Sequence, residues 1–334
     1  MGHRKQHAPH HGSLSYLPRK RSTNPWGRIR SWPTRVGEPS ALGFTGYKAG
    51  MTHVILVDNS PHSPLRGREV EVPATILDCP PLVVCGIRAY TETNYGLKCT
   101  HEIWSKNLNK DLSRTFPLPS EAKSDEKLAE LEKDLSNASR IRLLVHTQPR
   151  LASVSSKKPV VTELEIGGGS ISDRLRYAKN SLGKEIRIRD IFKEGNAVDV
   201  IAVSKGKGYQ GPVKKWNVKV LQKKSRKTVR GVGTLGPISP HSVMYTIPRA
   251  GQKGYHHRVE FNKRILKLGD RGEEITAKGG INRYGVVKGD YLLLQGSVPG
   301  DIRRLIKLRQ PIRTHQKTPE AAPQILSIYN TSKK

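Results

Sequence analysis

The segment REVEVPATILD, residues 68–78, indicates the fold class of this chain. Its apolar residues occupy every second position: Val70, Val72, Ala74 and Ile76. A period of two is typical of a β-strand that buries one face. The neighbouring stretches THVILVDN (52–59) and LVVCGIRAY (82–90) are rich in β-branched and apolar residues, which also favour strands. The sequence therefore predicts a mainly β fold around this segment.

Strand patterns continue along the chain, with two helices between them. The further predicted strands are RLLVHT (142–147), VTELEI (161–166), KEIRIRDIF (184–192), AVDVIAVSK (197–205), RVEFNKRILKL (258–268), GVVKGDYLLLQG (285–296) and RRLIKLR (303–309). SDEKLAELEKDLS (124–136) predicts a helix, because Leu128, Leu131 and Leu135 share one helical face. Ser124 is its predicted N-cap. GGGSISDRLRYAKNSLG (167–183) predicts a glycine turn followed by a short helix.

We predict a β body that is interrupted by an α+β insertion and by a long basic loop. The predicted parts are a basic N-terminal extension (1–38), the first part of the β body (39–75), the α+β insertion (76–180), the second part of the body (181–204), the basic internal loop extension (205–258), the third part of the body (259–314) and a C-terminal tail (315–334).

The charge of the chain is concentrated in two of these parts. The 334 residues carry a net charge of +31, from 59 Lys and Arg against 28 Asp and Glu. Residues 1–37 hold eight basic residues, residues 200–259 hold thirteen, and neither stretch contains an acid. Solvated protein surfaces normally mix both signs of charge. Tracts without counter-charge predict a polyanionic partner, and we expect them to build no core of their own.

The composition argues against a membrane, secreted or metal-binding protein. No apolar run reaches the roughly 18 residues of a spanning helix, and the basic N-terminus lacks the apolar segment of a secretory signal. The three cysteines are odd in number and have no C-x-x-C spacing, so we expect no disulfide framework, no zinc site and a reducing compartment. The four N-terminal histidines lack cysteine or carboxylate companions, so we expect no metal there.

KGKGYQG (205–211) contains the glycine spacing of a dinucleotide-binding loop. Such a site needs a helix that opens at the loop and an acid about 20 residues later. We expect neither, since the next acid after the loop is Glu260. A nucleophile-elbow motif and a G-x-x-x-x-G-K-[ST] loop are also missing from the sequence, although a triad assembled from distant residues stays open. We predict no enzymatic activity, no cofactor and no small-molecule substrate.

The internal basic tract has the composition of an RNA-binding segment. Lys and Arg neutralise phosphates, aromatic rings stack on unpaired bases, and glycine lets a chain pass between RNA helices. The tract contains four aromatic residues: Tyr209, Trp216, Tyr245 and Tyr255. For Trp216, an ordinary core position is an equal alternative. We predict folded RNA as the partner and no membrane.

Seven motifs, in order along the chain, carry a family resemblance. They are MGHRKQHAPHHGSLSYLPRKR (1–21), GYKAGMT (46–52), RLLVHTQPR (142–150), GGGSIS (167–172), DVIAVSKGKGYQG (199–211), RAGQKGYHHR (249–258) and SVPGDIRRLIKLR (297–309). With these motifs the chain resembles the universal large-subunit ribosomal protein three family, in its archaeal and eukaryotic branch. Its short C-terminal tail is more similar to the archaeal form.

The resemblance implies a β-barrel of the translation-factor type, with an α+β insertion and two extensions that penetrate the rRNA. It implies direct binding near the 3′ end of the large (23S) rRNA and an early, nucleating role in subunit assembly. It also implies an internal loop that reaches toward the peptidyl-transferase centre of the cytoplasmic large subunit. The neighbouring proteins would be the large-subunit proteins numbered fourteen and twenty-four-e.

The predicted site residues come from the basic tracts and from this resemblance. Residues predicted to bind rRNA are Arg4, Lys5, Arg19, Lys20, Arg21, Arg28, Arg30, Lys205, Lys207, Tyr209, Lys214, Lys215, Trp216, Lys223, Lys224, Arg226, Lys227, Arg230, Arg249, Lys253, Tyr255, His256, His257 and Arg258. The loop tip predicted to lie near the peptidyl-transferase centre is Gly236, Pro237, Ile238, Ser239 and Pro240.

Two positions depart from the family pattern. Many relatives carry a tryptophan near the loop tip in a Gly-x-Trp-x-Pro context, where this chain has Ile238. Eukaryotic relatives have a modifiable histidine in a Lys-Thr-His-Arg-Gly context, where this chain has Val229. We therefore expect neither an aromatic wedge at the tip nor that modification.

Two classes of function follow from these observations. The favoured one is a structural RNA-binding protein of the ribosome. The alternative is a freestanding RNA-binding chaperone or RNA-acting enzyme with basic arms. A structural component should co-sediment stoichiometrically with large subunits through a high-salt wash, whereas a freestanding factor should not.

Overall fold

The computed structural model describes residues 9–119, 123–313 and 321–329. These residues fall into two compact units. The basic unit comprises the described residues of Met1–Pro25 and of Val203–Arg258, and the β unit comprises those of Trp26–Ala202 and of Val259–Lys334. The domain boundaries given above stay predictions.

The described residues form fifteen strands, three α-helices and five short 3-10 turns. The strands are β1 (Ser40–Ala41), β2 (Gly43–Val57), β3 (Glu69–Asp78), β4 (Leu82–Thr93), β5 (Gly96–Trp104), β6 (Arg140–His146), β7 (Val161–Gly167), β8 (Glu185–Ile186), β9 (Ala197–Val203), β10 (Gly206–Gln210), β11 (Gly251–Gly254), β12 (His257–Gly269), β13 (Tyr291–Gln295), β14 (Leu305–Arg309) and β15 (Ile325–Ile328). The α-helices are α1 (Ser124–Lys133), α2 (Ile171–Ser181) and α3 (Pro212–Trp216). The 3-10 turns are Leu14–Tyr16, Lys110–Arg114, Leu135–Asn137, Ile188–Asp190 and Gly272–Ile275. The predicted mainly β fold is confirmed.

The larger sheet contains seven strands in the order β14-β9-β12-β13-β3-β2-β15, and β2 also pairs with β14. Strand β2 spans fifteen residues and is long enough to pair with three other strands. It pairs antiparallel with β3 from Tyr47 to Val57, with β14 around Thr45, and with β15 near its end.

The second half of β3 is buried on both faces, although its alternating pattern predicted one buried face. Glu69, Glu71 and Pro73 are exposed, whereas every residue of 74–78 is buried. The reason is that the two faces contact different hydrophobic clusters. Leu77 belongs to one cluster, whereas Ala74 and Ile76 belong to the other.

The second sheet of the β unit has the order β1-β7-β6-β4-β5, with β8 beside β4. Helix α2 covers it through Leu175 and Ala178, which join the same hydrophobic cluster as Leu143. The helix begins at a capping box, in which the Ser170 hydroxyl accepts from the Asp173 N–H and the Asp173 carboxylate accepts from the Ser170 N–H. The predicted short helix after the glycine turn is confirmed.

Helix α1 has the predicted leucine face but not the predicted cap. Leu131 is buried, and Leu128 and Leu135 pack against the same cluster. Ser124 is the first helical residue, and the N-cap position belongs to Lys123. The Ser124 hydroxyl instead donates to the carbonyl oxygen of Trp104 at 2.6 Å. The Ser124 side chain therefore makes a tertiary contact and does not cap the helix as the local sequence had predicted.

Two predicted strands are shorter than their patterns. Within 184–192 only β8 is extended, and Ile188–Asp190 form a 3-10 turn. The backbone N–H of Arg187 donates to the Asp190 carboxylate at 2.8 Å, which closes this turn. Within 285–296 the strand begins only at Tyr291, where pairing with β3 and β12 begins. Alternation of apolar residues indicates which side chains are buried. Whether a segment pairs as a strand depends on the strands beside it.

No helix in the described ranges is long and apolar enough to cross a lipid bilayer. The described part of the chain also holds no group of three or more His, Cys, Asp or Glu side chains that could bind a metal ion. Its cysteines are free thiols, with Cys79 and Cys85 buried and Cys99 exposed.

Candidate nucleic-acid interface

The basic unit is built on a short antiparallel strand pair. Strands β10 and β11 pair from Gly206↔Gly254 to Gln210↔Gly251. Gly254 has a φ of +74°, and a Cβ there would collide with the carbonyl oxygen of Lys205, so only glycine fits this close approach.

A helix opens directly after β10, which is contrary to the prediction for the KGKGYQG loop. Helix α3 has five residues and begins after Gly211. The acid that a dinucleotide site needs is still missing, since no Asp or Glu precedes Glu260 in this part of the sequence. A helix at this place therefore does not restore the dinucleotide site.

Trp216, the last residue of α3, is the centre of a small core. It is 7% exposed, and its Nε1–H donates to the carbonyl oxygen of Arg249 at 2.6 Å. The Arg19 guanidinium lies 4.2 Å from the ring centroid and the Lys215 ammonium 5.0 Å from it. Gly12 packs so closely that a Cβ there would lie 2.6 Å from the ring. These contacts favour the core alternative for Trp216, and the expectation that the basic tracts build no core is wrong here.

His256 is held inside the basic unit by two hydrogen bonds. Its Nδ1–H donates to the Lys20 carbonyl at 2.8 Å, and its backbone N–H donates to the Ser204 hydroxyl at 3.1 Å. Burial lowers the pKa of the His256 imidazole, and the bond to Lys20 opposes that shift. Three nearby cations lower the pKa further: Arg258, Arg19 and Lys215. The imidazole is thus neutral at pH 7.

Basic side chains surround a cavity of about 230 Å³ in this unit, here called the basic cavity. Its basic lining residues are Arg19, Lys205, Lys207, Lys215, Lys253, His256 and Arg258. Burial and the charge of Arg258 lower the pKa of Arg19, and burial and the charge of Arg19 lower the pKa of Lys215. Residues 1–25 and 203–258 contain no Asp or Glu that could neutralise them. The cavity therefore concentrates positive charge and suits an anion.

Most predicted rRNA-binding residues of the basic unit are exposed or half-buried, including some that line the basic cavity. The exposed ones are Lys20, Arg21, Lys205, Lys207, Tyr209, Lys214, Lys223, Lys224, Arg226, Lys227, Arg230 and Arg249. Lys253, Tyr255, His257 and Arg258 are half-buried. The Arg258 guanidinium lies 4.6 Å from the Tyr16 ring centroid. The predicted contacts of Arg4 and Lys5 lie outside the described residues.

The predicted loop tip, residues 236–240, is exposed at all five positions. Ile238 has 85% of its surface exposed. An isoleucine gains about 1.5–3 kcal/mol when it is fully buried, so this side chain is available to an external partner.

Arg28 and Arg30 lie in the β unit and border a larger pocket of about 1050 Å³, here called the aromatic pocket. Other lining residues are Trp32, Trp104, Phe116 and Lys307. Sequence analysis missed Lys307, which stands between two apolar residues in the predicted strand RRLIKLR. The structure buries it, because β14 lies between β2 and β9. No local signal could have found it.

Comparison with known proteins decides the family of this chain. All of its residues, 1–334, match the sequence model of a family described as Ribosomal protein L3. The chain belongs to the ribosomal protein L3 family. The resemblance drawn from the seven motifs is confirmed.

Archaeal members of the L3 family are similar over nearly the whole length. The protein of Methanopyrus kandleri is 47% identical over 336 residues, which covers 99% of this chain and 92% of that protein. The protein of Methanothermobacter thermautotrophicus is 46% identical and covers 98% of both chains. The protein of Methanocaldococcus jannaschii is 48% identical over 330 residues, 97% of both. Each is named large ribosomal subunit protein uL3. L3 proteins are structural proteins of the ribosome and not enzymes, as predicted for this chain.

Proposed function

We propose that this chain is a structural constituent of the large ribosomal subunit that binds the large rRNA directly through its basic unit. The observation that carries the proposal is the convergence of Arg19, Lys215 and Arg258 around the basic cavity, in a unit without any acid. Cations held together against their mutual repulsion need an external anion. Each nucleotide of RNA supplies one phosphate charge, and Lys and Arg neutralise such charges on binding.

The finer placement follows the family resemblance. The chain binds near the 3′ end of the 23S rRNA, nucleates subunit assembly, and its tip at 236–240 points toward the peptidyl-transferase centre. Its neighbours are large-subunit proteins fourteen and twenty-four-e, in the cytoplasmic particle. The larger sheet is a barrel of the translation-factor type, and this assignment is supported by the pairing of β2 with both β3 and β14, which returns the strand path to its start.

Removing four exposed cations should weaken the salt dependence of RNA binding. Replacing Lys223, Lys224, Arg226 and Lys227 by glutamine removes four charges that can meet phosphates. If all four do so, the slope of log K against log salt becomes less negative by about 3, because each phosphate contact contributes about 0.7–0.9 to the slope. Filter binding of the full chain to a 23S rRNA transcript across a salt series measures this slope.

The matched control removes four exposed lysines of the β unit: Lys127, Lys133, Lys157 and Lys158. It lowers the net charge by the same amount, so a general effect of charge would change both slopes equally. The proposal expects little change in the control. Equal slopes for the two variants would show that the basic unit does not provide the phosphate contacts.

Ile238→Asp should disturb the loop tip without abolishing the affinity of the whole chain. A carboxylate placed among phosphates has no partner and repels them. One side chain is nevertheless a small part of an interface held by many phosphate contacts. Complementation and sucrose-gradient profiles of ribosomal subunits provide the measurement, with Ile238→Ala as the milder companion. Normal assembly and translation with Ile238→Asp would contradict a tip buried in RNA.

The alternative of a freestanding factor is tested by co-sedimentation. A structural constituent stays stoichiometric with large subunits after a high-salt wash. Loss of the chain in that wash, with retention of other large-subunit proteins, would favour the freestanding factor.

A further inference from the structure

The aromatic pocket of the β unit presents three rings in fixed positions. The Trp104 and Phe116 ring centroids are 5.0 Å apart, with planes tilted by 47°. The Trp104 Nε1–H donates to Glu102 at 2.8 Å, which orients the indole. Trp32 rests on Gly43, where a Cβ would lie 2.9 Å from the indole ring. The rings are therefore placed by the fold before any ligand arrives.

Two polar side chains of the pocket are buried, and one of them is a cation. Lys307 is 8% exposed and Thr162 is 5% exposed. Among the fully buried side-chain atoms of residues 9–119, 123–313 and 321–329, the Thr162 hydroxyl oxygen has no hydrogen-bond partner, whereas the Lys307 ammonium is not one of these atoms and borders the pocket. Burial lowers the pKa of Lys307 to about 8, and the charge of Glu163 only partly opposes this shift. A largely buried cation that borders a pocket, with its charge only partly balanced by Glu163, suits an anionic ligand.

Glu163 lines the pocket, and its carboxylate already accepts hydrogen bonds from other side chains. One oxygen of Glu163 accepts from Arg88 and from the Tyr90 hydroxyl, and the other accepts from Arg142 at 3.0 Å. Arg88 also binds Glu102 at 2.6 Å through two nitrogens. The guanidinium groups of Arg88 and Arg142 are thus occupied, and Glu163 balances the positive charge of Lys307 only partly.

We propose that the aromatic pocket binds one unpaired nucleotide of the rRNA, with the base against the Trp32, Trp104 and Phe116 rings and the phosphate on Lys307. Aromatic side chains stack on unpaired bases, and a lysine ammonium binds phosphate as a point charge. This inference rests on the proposed function, because it needs rRNA at the surface of the β unit.

An acidic protein segment is the competing ligand, and the chemistry of the pocket favours it less. Carboxylates are best recognised by the planar fork of arginine, but the forks of Arg88 and Arg142 are engaged. The available cation inside the pocket is a lysine. Arg28 and Arg30 at its border come from a stretch, residues 1–37, that contains no acid.

Ultraviolet cross-linking of intact large subunits tests the proposal. Irradiation joins RNA bases to the residues that they touch, and mass spectrometry of the digest finds the modified peptides. We expect a nucleotide adduct on Trp32, Trp104 or Phe116, together with adducts on residues 203–258. Lys307→Met should reduce the pocket adduct several-fold and leave the basic-unit adducts unchanged. Lys127→Met, at an exposed position of α1, is the matched control and should change neither.

The outcomes separate this inference from the proposed function. Adducts in the basic unit without any in the pocket overturn the nucleotide site and leave the proposed function standing. The absence of adducts from both places overturns the proposed function as well. A carbodiimide, which couples amines to carboxylates, tests the competing ligand in the same particles. Coupling of Lys307 to a carboxylate of another ribosomal protein would overturn the nucleotide site.

Discussion

Replacing Asp199 by asparagine is expected to lower the free energy of unfolding by about 3–5 kcal/mol. The Asp199 carboxylate is fully buried, binds Arg309 at 2.7 Å and accepts from the backbone N–H groups of Asn262 and Ile312. Arg309, itself buried, also donates to the Ser31 carbonyl at 2.7 Å. Asparagine keeps the shape but removes the charge, so the guanidinium stays buried without a counter-ion. Urea denaturation followed by circular dichroism measures the change.

A surface ion pair of the same unit provides the control. Asp270 contacts Arg189 at 2.9 Å, and both side chains are half exposed. Asp270→Asn should therefore cost less than about 1 kcal/mol. The paired replacement Asp199→Leu with Arg309→Met should cost less than Asp199→Asn alone, because it leaves no buried charge. If Asp199→Asn were as mild as Asp270→Asn, the buried pair would not stabilise the fold as argued.

Replacing Lys307 by methionine is expected to stabilise the RNA-free protein at pH 7, by up to about 3 kcal/mol. Burial lowers the pKa of Lys307 from its usual 10.5 to about 8 in the folded state. Below pH 8 the amine is charged in both the folded and the unfolded state, so the folded state carries the full cost of burying the charge. As the pH rises from 8 to 10.5, the folded state loses its proton first, and the cost disappears. Methionine keeps the unbranched stem and removes the charge.

Denaturation curves at pH 7 and at pH values above 10.5 measure this difference. The advantage of Lys307→Met should be largest at pH 7 and should vanish at the higher pH. Lys127→Met, at an exposed position, should change the free energy of unfolding by less than about 0.5 kcal/mol. A Lys307→Met protein that is less stable than its parent at pH 7 would contradict a largely buried ammonium in the aromatic pocket. A lysine that costs stability in the free protein and meets phosphate in the subunit is consistent with a binding role.

Local patterns predicted most strands because their signal repeats along a single segment. The alternation in REVEVPATILD predicted β3, and RRLIKLR predicted β14. The same signal failed at 184–192, where buried Ile186 and Ile188 alternate but only two residues pair as a strand. It failed there because pairing depends on a neighbouring strand, which the segment itself does not contain.

The class of partner was also predictable, because charge is a sum over residues and needs no contacts. Two stretches without acids indicated a polyanion, and seven ordered motifs indicated the ribosomal family. The sequence did not predict which side chains would be available to that partner. Trp216 is of a residue type that stacks on bases, yet Arg19 and Gly12, which are distant from it in the sequence, cover its ring.

The β character, the acid-free tracts and the family of this protein follow from its sequence, because each is a property of neighbouring or summed residues. The sites, in contrast, depend on the folded chain. It brought Arg19 together with Lys215 and Arg258 around the basic cavity, and it buried Lys307 among aromatic rings. The physical reason is that burial and the pKa of a side chain depend on segments distant in sequence, and these meet only when the chain folds.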